Sequence, residues 1–253
     1  MSLPPIRRQV VVPAAADVAF AAFTSEIGSW WPVGAGHSVY GDWSTGTVAF
    51  RDGQLVESGP SGATAVWGTV LDWEPPHRVR LTWHPGSDPA KAGEVEVTFA
   101  PVADAQTLVT LEHRGWERFA DPAAARAEYN QGWPFVLGHF VPSVPAVPAA
   151  GDEPVWLALV HTPGPAVGDA GVFAHPDFRE HVAFLRRLME RGVLVAAGPF
   201  PVTGEGMTVL RLDSPSDVPE YVRLAQEDDQ SVVRGVLLVN VRPWHVMFTG
   251  TAA

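Results

Sequence analysis

Apolar and polar positions alternate with period two along four segments in the first half of the chain. Val48 and Phe50 fall on one side, as do Val79, Leu81 and Trp83; Val95, Val97 and Phe99; and Val109, Leu111 and His113. The positions between them carry Arg80 and Thr82, then Glu94, Glu96 and Thr98, then Thr110, Glu112 and Arg114. Successive side chains of a strand point to opposite faces, so this pattern predicts an antiparallel sheet with one covered and one wet face. The strand carboxylates are expected on the wet face. Ahead of these segments a strand is expected over Arg7–Val12. A short helix capped by Asp17 then turns Phe20, Phe23 and Ile27 to one side and ends at Trp30, Trp31 and Pro32.

The period changes after Asp121-Pro122, which reads as an N-cap followed by proline at the first helical position. Tyr129, Trp133, Val136, Leu137 and Phe140 recur at three- and four-residue spacing and make an apolar stripe. A curved sheet wrapped around one long helix follows from these two patterns. Pro134 inside that helix costs about 3 kcal/mol or kinks it. A kinked helix over a concave sheet predicts a cavity between them. The next stretch, VPSVPAVPAAGDEP from Val141 to Pro154, is expected to be a semi-rigid extended linker, because proline fixes φ and lacks an amide donor.

Beyond it the pattern predicts strands at Val155–His161, Val193–Gly198, Met207–Leu212 and Val236–Val241. A helix from about His175 to Arg191 sets Phe178, Val182, Leu185 and Leu188 on one side, with Gly192 as its C-terminal cap. A second helix runs from near Ser216-Asp217 to near Asp228. Strand, helix, strand, strand, helix, strand is the order of a ferredoxin-like sandwich, with two helices on one face of a four-stranded sheet. The fold class is therefore α+β: a curved sheet around one long helix over 1–140, a linker over 141–154 and a ferredoxin-like domain over 155–248.

Charge narrows the partners. Seventeen Lys and Arg stand against 28 Asp and Glu, a net charge of −11. Such a surface repels phosphate backbones and anionic lipid, so neither nucleic acid nor membrane is an expected partner. No stretch reaches the roughly 20 apolar residues of a membrane span. The chain has no cysteine, hence no disulfide, thiolate metal site or thiol nucleophile, which suits a reducing cytoplasm. No glycine-rich phosphate loop or nucleotide fingerprint is present, and no cofactor or metal is expected.

Chemistry concentrates in His181 and Asp229. In the predicted order the start of the first helix of the second domain lies beside the end of its second helix. His181 is in the second turn of the one and Asp229 just past the other. A histidine titrates near neutrality, and an aspartate in reach would orient its ring and fix its tautomer. That is a general acid–base device; with no serine or cysteine placed as nucleophile it is not a hydrolase site. A purely structural hydrogen bond between helix ends is the competing reading. Asp228 could replace Asp229 by a one-residue shift, and His175 could join from the helix start. His161 is expected as a solvated strand end. In the first domain His113 is the inward polar residue, a ligand anchor or a satisfied core histidine, while His37 and His84 lie near loop ends. Trp31, Trp67, Trp83, Trp116 and Trp133 are candidates to line the cavity.

Two resemblances bear on this. At WW (30–31), WGTVLDWEPPHRVRLTW (67–83), TLVTLEHRGW (107–116) and GW (132–133), residues 6–140 resemble the START-like superfamily, in the branch named for the activator of the ninety-kilodalton heat-shock-protein ATPase. That resemblance implies a helix-grip fold with a deep, mostly apolar pocket for a small hydrophobic or aromatic molecule. At HPDFREHVAFLRRLMERGVLVAAGPF (175–200), GEGMTVLRLDSP (204–215) and DDQSVVRGVLLVNVRPW (228–244), the second half resembles the YCII-related family. That implies a ferredoxin-like fold, a homodimer formed sheet to sheet, and an acid–base pair falling on His181 and Asp229. The implied function is ligand binding in the first domain with cofactor-free isomerase, lyase or dehalogenase chemistry in the second. The alternatives are a non-catalytic ligand sensor dimerised by its second half, and a co-chaperone.

Overall fold

The computed structural model describes residues 3–41, 45–59, 62–147, 153–201 and 204–249. The chain divides into two compact units, 1–148 and 149–253.

The first unit begins with β1 (Ile6–Val12), α1 (Ala16–Thr24) and the single turn α2 (Ile27–Trp30). Six strands follow: β2 (Thr47–Arg51), β3 (Gln54–Ser58), β4 (Thr64–Glu74), β5 (Arg78–Trp83), β6 (Gly93–Ala103) and β7 (Gln106–Arg114). The long helix α3 (Pro122–Ser143) ends the unit. The strands form one seven-stranded antiparallel sheet in the order β1-β7-β6-β5-β4-β3-β2. Register explains the alternation: Val97 stands between Val79 and Leu111, and Val95 between Leu81 and His113, all on the buried face. Trp133, Val136, Leu137 and Phe140 of α3 join the same core as these residues.

The opposite face is not simply wet. Arg80 bonds Asp72 at 2.5 Å and Glu94 at 3.1 Å, Arg78 bonds Glu96 at 3.1 Å, and Arg7 bonds Glu112 at 2.7 Å. Arg114 adds a contact to Glu94. Cross-strand neighbours of opposite sign thus tile the outer face.

Three expectations need correction. Asp17 does not cap α1; Ala15 holds the cap position without a side-chain bond, and Asp17 lies in the first turn, where its charge still suits the helix dipole. The strand carboxylates do not all face outward: Glu57 on β3 is fully buried. The linker begins later than expected, because α3 continues through Pro142 to Ser143 and Val144 is buried against the core. A proline in the last turn displaces little, and residues 148–152 of the expected linker lie outside the described residues. The cap at Asp121 is as expected, its side chain accepting from the Ala124 N–H at 3.0 Å.

Pro134 sits within an unbroken α3. Its missing N–H would have bonded the carbonyl of Asn130, four residues back. Arg8 of β1 supplies the substitute, donating from Nη2 to that carbonyl at 3.1 Å and to the Asn130 Oδ1 at 2.8 Å.

The second unit comprises β8 (Val155–Pro163), α4 (Phe178–Glu190), β9 (Leu194–Pro199), β10 (Gly206–Leu212), α5 (Val218–Glu227), the single turn α6 (Gln230–Val233) and β11 (Leu237–Pro243). Its four strands are antiparallel in the order β11-β8-β10-β9. Leu157, Leu159, Leu210, Leu212 and Val241 pack in its interior. Gly192 closes α4 with φ of +75°, a conformation that costs a side chain strain and glycine none.

Candidate functional site

The buried stripe of α4 is His181, Phe184 and Leu188, at i, i+3 and i+7. The expected stripe is rotated from it: Phe178, Val182 and Leu185 are only half-buried and line a pocket of about 120 Å3. His161, His181 and Thr208 also face that pocket, as do Glu205 and Leu237. The helix divides its apolar side between core and pocket, a split that apolar spacing does not reveal.

Asp229 follows α5 and leaves the helical conformation, with φ of −72° and ψ of 99°. It becomes the N-cap of α6, its Oδ1 accepting from the Ser231 N–H at 3.0 Å. The other oxygen, Oδ2, meets His181 Nδ1 at 2.6 Å. Asp229 is fully buried, and His181 is 7% exposed. Ser231 locks the arrangement: its Oγ accepts from the His181 N–H at 3.1 Å and donates to the Asp177 carbonyl at 2.7 Å. The start of α4 and the cap of α6 are therefore tied by backbone and side chain together. With Nδ1–H donated to the carboxylate, the Nε2 of His181 carries the lone pair.

The rival residues go elsewhere. Asp228 pairs with Arg187 at 2.8 Å on the surface. His175 accepts from the Asp177 N–H at 3.2 Å and stays at the helix start. His161 is not a solvated strand end. It is 3% exposed, and its ring centroid lies 4.7 Å from that of His181. Burial first, then the neighbouring His181, pushes its pKa down to about 3, so the ring is neutral. Its inward place was readable from β8, where Leu157, Leu159 and His161 share one strand face.

His161, His181 and Asp229 place one potential metal-ligating atom each within 4.8 Å of one another. Two atoms on a tetrahedral zinc at about 2.0–2.2 Å would stand roughly 3.4 Å apart. The 2.6 Å between Nδ1 and Oδ2 is a hydrogen-bond length instead, so those two atoms share a proton.

In the first unit Trp31, Trp67, Trp83, Trp116 and Trp133 are all buried, none more than 8% exposed. Their rings pack on one another. Trp31 meets Trp67 at 5.2 Å between centroids, and Trp83 meets Trp133 at 5.3 Å. His113 lies 4.3 Å from Trp116 and 4.5 Å from Tyr129. Its Nδ1 accepts from the Trp133 indole N–H at 3.3 Å, which places the proton on Nε2. Burial holds its pKa down at about 3. Neither His113 Nε2 nor Trp116 Nε1 finds a hydrogen-bond partner among the described residues. His37 stacks on Phe135 at 5.2 Å, and partial burial, then His139, lowers its pKa. His84 is buried near the end of β5. Glu57 is the residue that strand alternation should have found, two positions after the inward Leu55. It accepts from the Val39 N–H at 3.0 Å and the Trp67 indole at 3.2 Å, and it also bonds Ser38.

No helix among the described residues is long and apolar enough to cross a membrane. No curated protein matches the chain. Among solved structures, the anthrahydroquino-Gama-pyrone synthase Txn09, complexed with SUM, is 31% identical over 56% of this chain and 98% of that one, with a TM-score of 0.40. The self-sacrificing resistance protein CalC from Micromonospora echinospora is 22% identical over 56% and 94%, with a TM-score of 0.39. The Aha1 dimer from Colwellia psychrerythraea is 14% identical over 56% and 96%, with a TM-score of 0.37. Residues 13–141, just over half of the 253, match the model of the Activator of Hsp90 ATPase homolog 1-like proteins. Because that match covers more than half of the chain, the chain belongs to that family.

Proposed function

We propose that residues 155–248 form a ferredoxin-like, YCII-related domain in which His181 and Asp229 act as a cofactor-free general acid–base pair. The observation that carries this is the buried 2.6 Å contact between His181 Nδ1 and Asp229 Oδ2 at the wall of a pocket. His181 Nε2 takes a proton from a substrate in the pocket and returns it to a neighbouring atom. Asp229 holds the ring in one tautomer and balances the imidazolium as it forms. Isomerisation, elimination and dehalogenation of small molecules are the reactions such a pair serves. Deuterium exchange into a simple butenolide in D2O tests it. Exchange catalysed by the wild type and lost in His181→Ala supports the pair; equal exchange by both proteins overturns it.

A second activity, binding of a small hydrophobic molecule by the first unit, is supported by family membership and by His113. His113 and Trp116 lie in one aromatic cluster, and each has an N–H without a partner among the described residues. An acceptor on a ligand would relieve both. Quenching of tryptophan fluorescence by aromatic and polyketide-like ligands, reduced in His113→Phe, is the expected result. A non-catalytic sensor would show that quenching without any exchange activity. Homodimerisation through the sheet of the second unit belongs to the same reading, and light scattering on the purified chain checks it. Co-chaperone activity does not follow from the family name, because sites rather than folds set function.

A further inference from the structure

The pocket beside His181 holds a second imidazole that the acid–base pair does not use. His161 Nε2 is buried and has no hydrogen-bond partner among the described residues. Nε2 is the ring atom left without a partner, and in the neutral ring with its proton on Nδ1 it carries the free lone pair. A buried polar atom without a partner costs about 1–3 kcal/mol, which a donor from a bound molecule would recover.

The other walls say what kind of molecule that is. Val172, Phe178, Val182, Leu185 and Leu237 make the lining mostly apolar. No lysine or arginine is among the lining residues, while Glu205 lines the pocket and Asp229 stands behind His181. An anion entering here would meet no cation and two carboxylates. The volume of about 120 Å3 is close to the ~150 Å3 of an apolar cavity that accepts benzene.

We propose that this pocket takes a neutral, single-ring hydroxyl compound, a phenol, cyclic alcohol or enol, whose O–H donates to His161 Nε2 while His181 faces the rest of the ring. His161 is then the anchoring and specificity-determining residue of the site. The proposal rests on the acid–base reading of the same pocket, for which it names the substrate class.

The test uses the full chain with phenol, toluene and benzoate as probes, followed by NMR. Phenol should bind and move the His161 Nε2 resonance. Toluene, of similar size without the donor, and benzoate, with the wrong charge, should each bind at least tenfold more weakly. His161→Phe, which keeps a ring in the core, should weaken phenol at least tenfold and leave toluene unchanged. His161→Gln, which keeps an acceptor, should restore part of the affinity and guards against a folding defect. Benzoate binding as tightly as phenol, phenol indifferent to both variants, or zinc displacing phenol from His161 would each overturn the proposal. Phenol binding reports the anchor and butenolide exchange reports the acid–base pair, so the two failures are told apart.

Discussion

Asp228 and Asp229 are adjacent in the chain and face different surroundings: Asp228 reaches Arg187 at the surface, and Asp229 turns inward to His181. The separation comes from the cap of α6, which rotates one carboxylate into the protein. The two positions should therefore respond very differently to the same change. Asp229→Asn removes a charged partner from a buried imidazole and should cost about 2 kcal/mol of stability. Asp228→Asn loses only an exposed pair and should stay within about 0.5 kcal/mol. Urea unfolding of the two variants beside the wild type checks both values.

Two buried histidines make stability depend on pH. His113 and His161 are both held near a pKa of about 3 in the folded chain, chiefly by burial. In the unfolded chain each returns to about 6.5. Between those values the unfolded chain binds protons that the folded one does not, so stability falls as pH falls. Each histidine should contribute a loss of about 1.4 kcal/mol per pH unit below its ordinary value, or roughly 2 kcal/mol at pH 5. His113→Phe and His161→Phe should each flatten that dependence relative to wild type. Denaturant midpoints at pH 7, 6 and 5 measure it, and parallel profiles for wild type and variants would contradict the buried neutral state.

What could be read from the chain depended on how local its signal was. Period-two alternation marked β5, β6 and β7 with their inward residues, since each strand buries a single face. The three- and four-residue spacing marked α3 and four of its core residues. The meeting of His181 with Asp229 was legible because helix directions follow from element order. Contacts made across the fold were not. Nothing local to Pro134 points to Arg8, 126 positions earlier, and nothing local to Glu57 announces the Trp67 indole. His161 was misjudged because its position near the end of β8 hid that the strand's inward face extends to it. That the tryptophans pack against one another, as Trp31 does on Trp67, was not legible either.

Glu57 offers a sharper contrast between size and charge. Its carboxylate accepts from the Trp67 indole, the Val39 N–H and Ser38 while wholly buried. Glu57→Ala leaves these donors stranded and should cost about 3 kcal/mol or more. Glu57→Gln keeps one acceptor oxygen and should cost about half as much. Thermal melts of the two variants, read by tryptophan fluorescence, would show the order; equal losses would mean that volume rather than hydrogen bonding governs the position.

Arg8 and Pro134 should prove energetically coupled. The carbonyl of Asn130 is free only because residue 134 is proline, and Arg8 is the group that bonds it. Arg8→Ala in the wild type leaves that carbonyl without the bond and should cost about 1.5–2 kcal/mol. In Pro134→Ala the helix closes its own bond from residue 134, and Arg8 has less to do. The same Arg8→Ala change should then cost about 1 kcal/mol less, a coupling of the size expected for residues sharing a partner. A double-mutant cycle measured by urea unfolding reads this term directly. Additivity within about 0.3 kcal/mol would mean that Arg8 stabilises the fold through its contact with the Asn130 side chain alone.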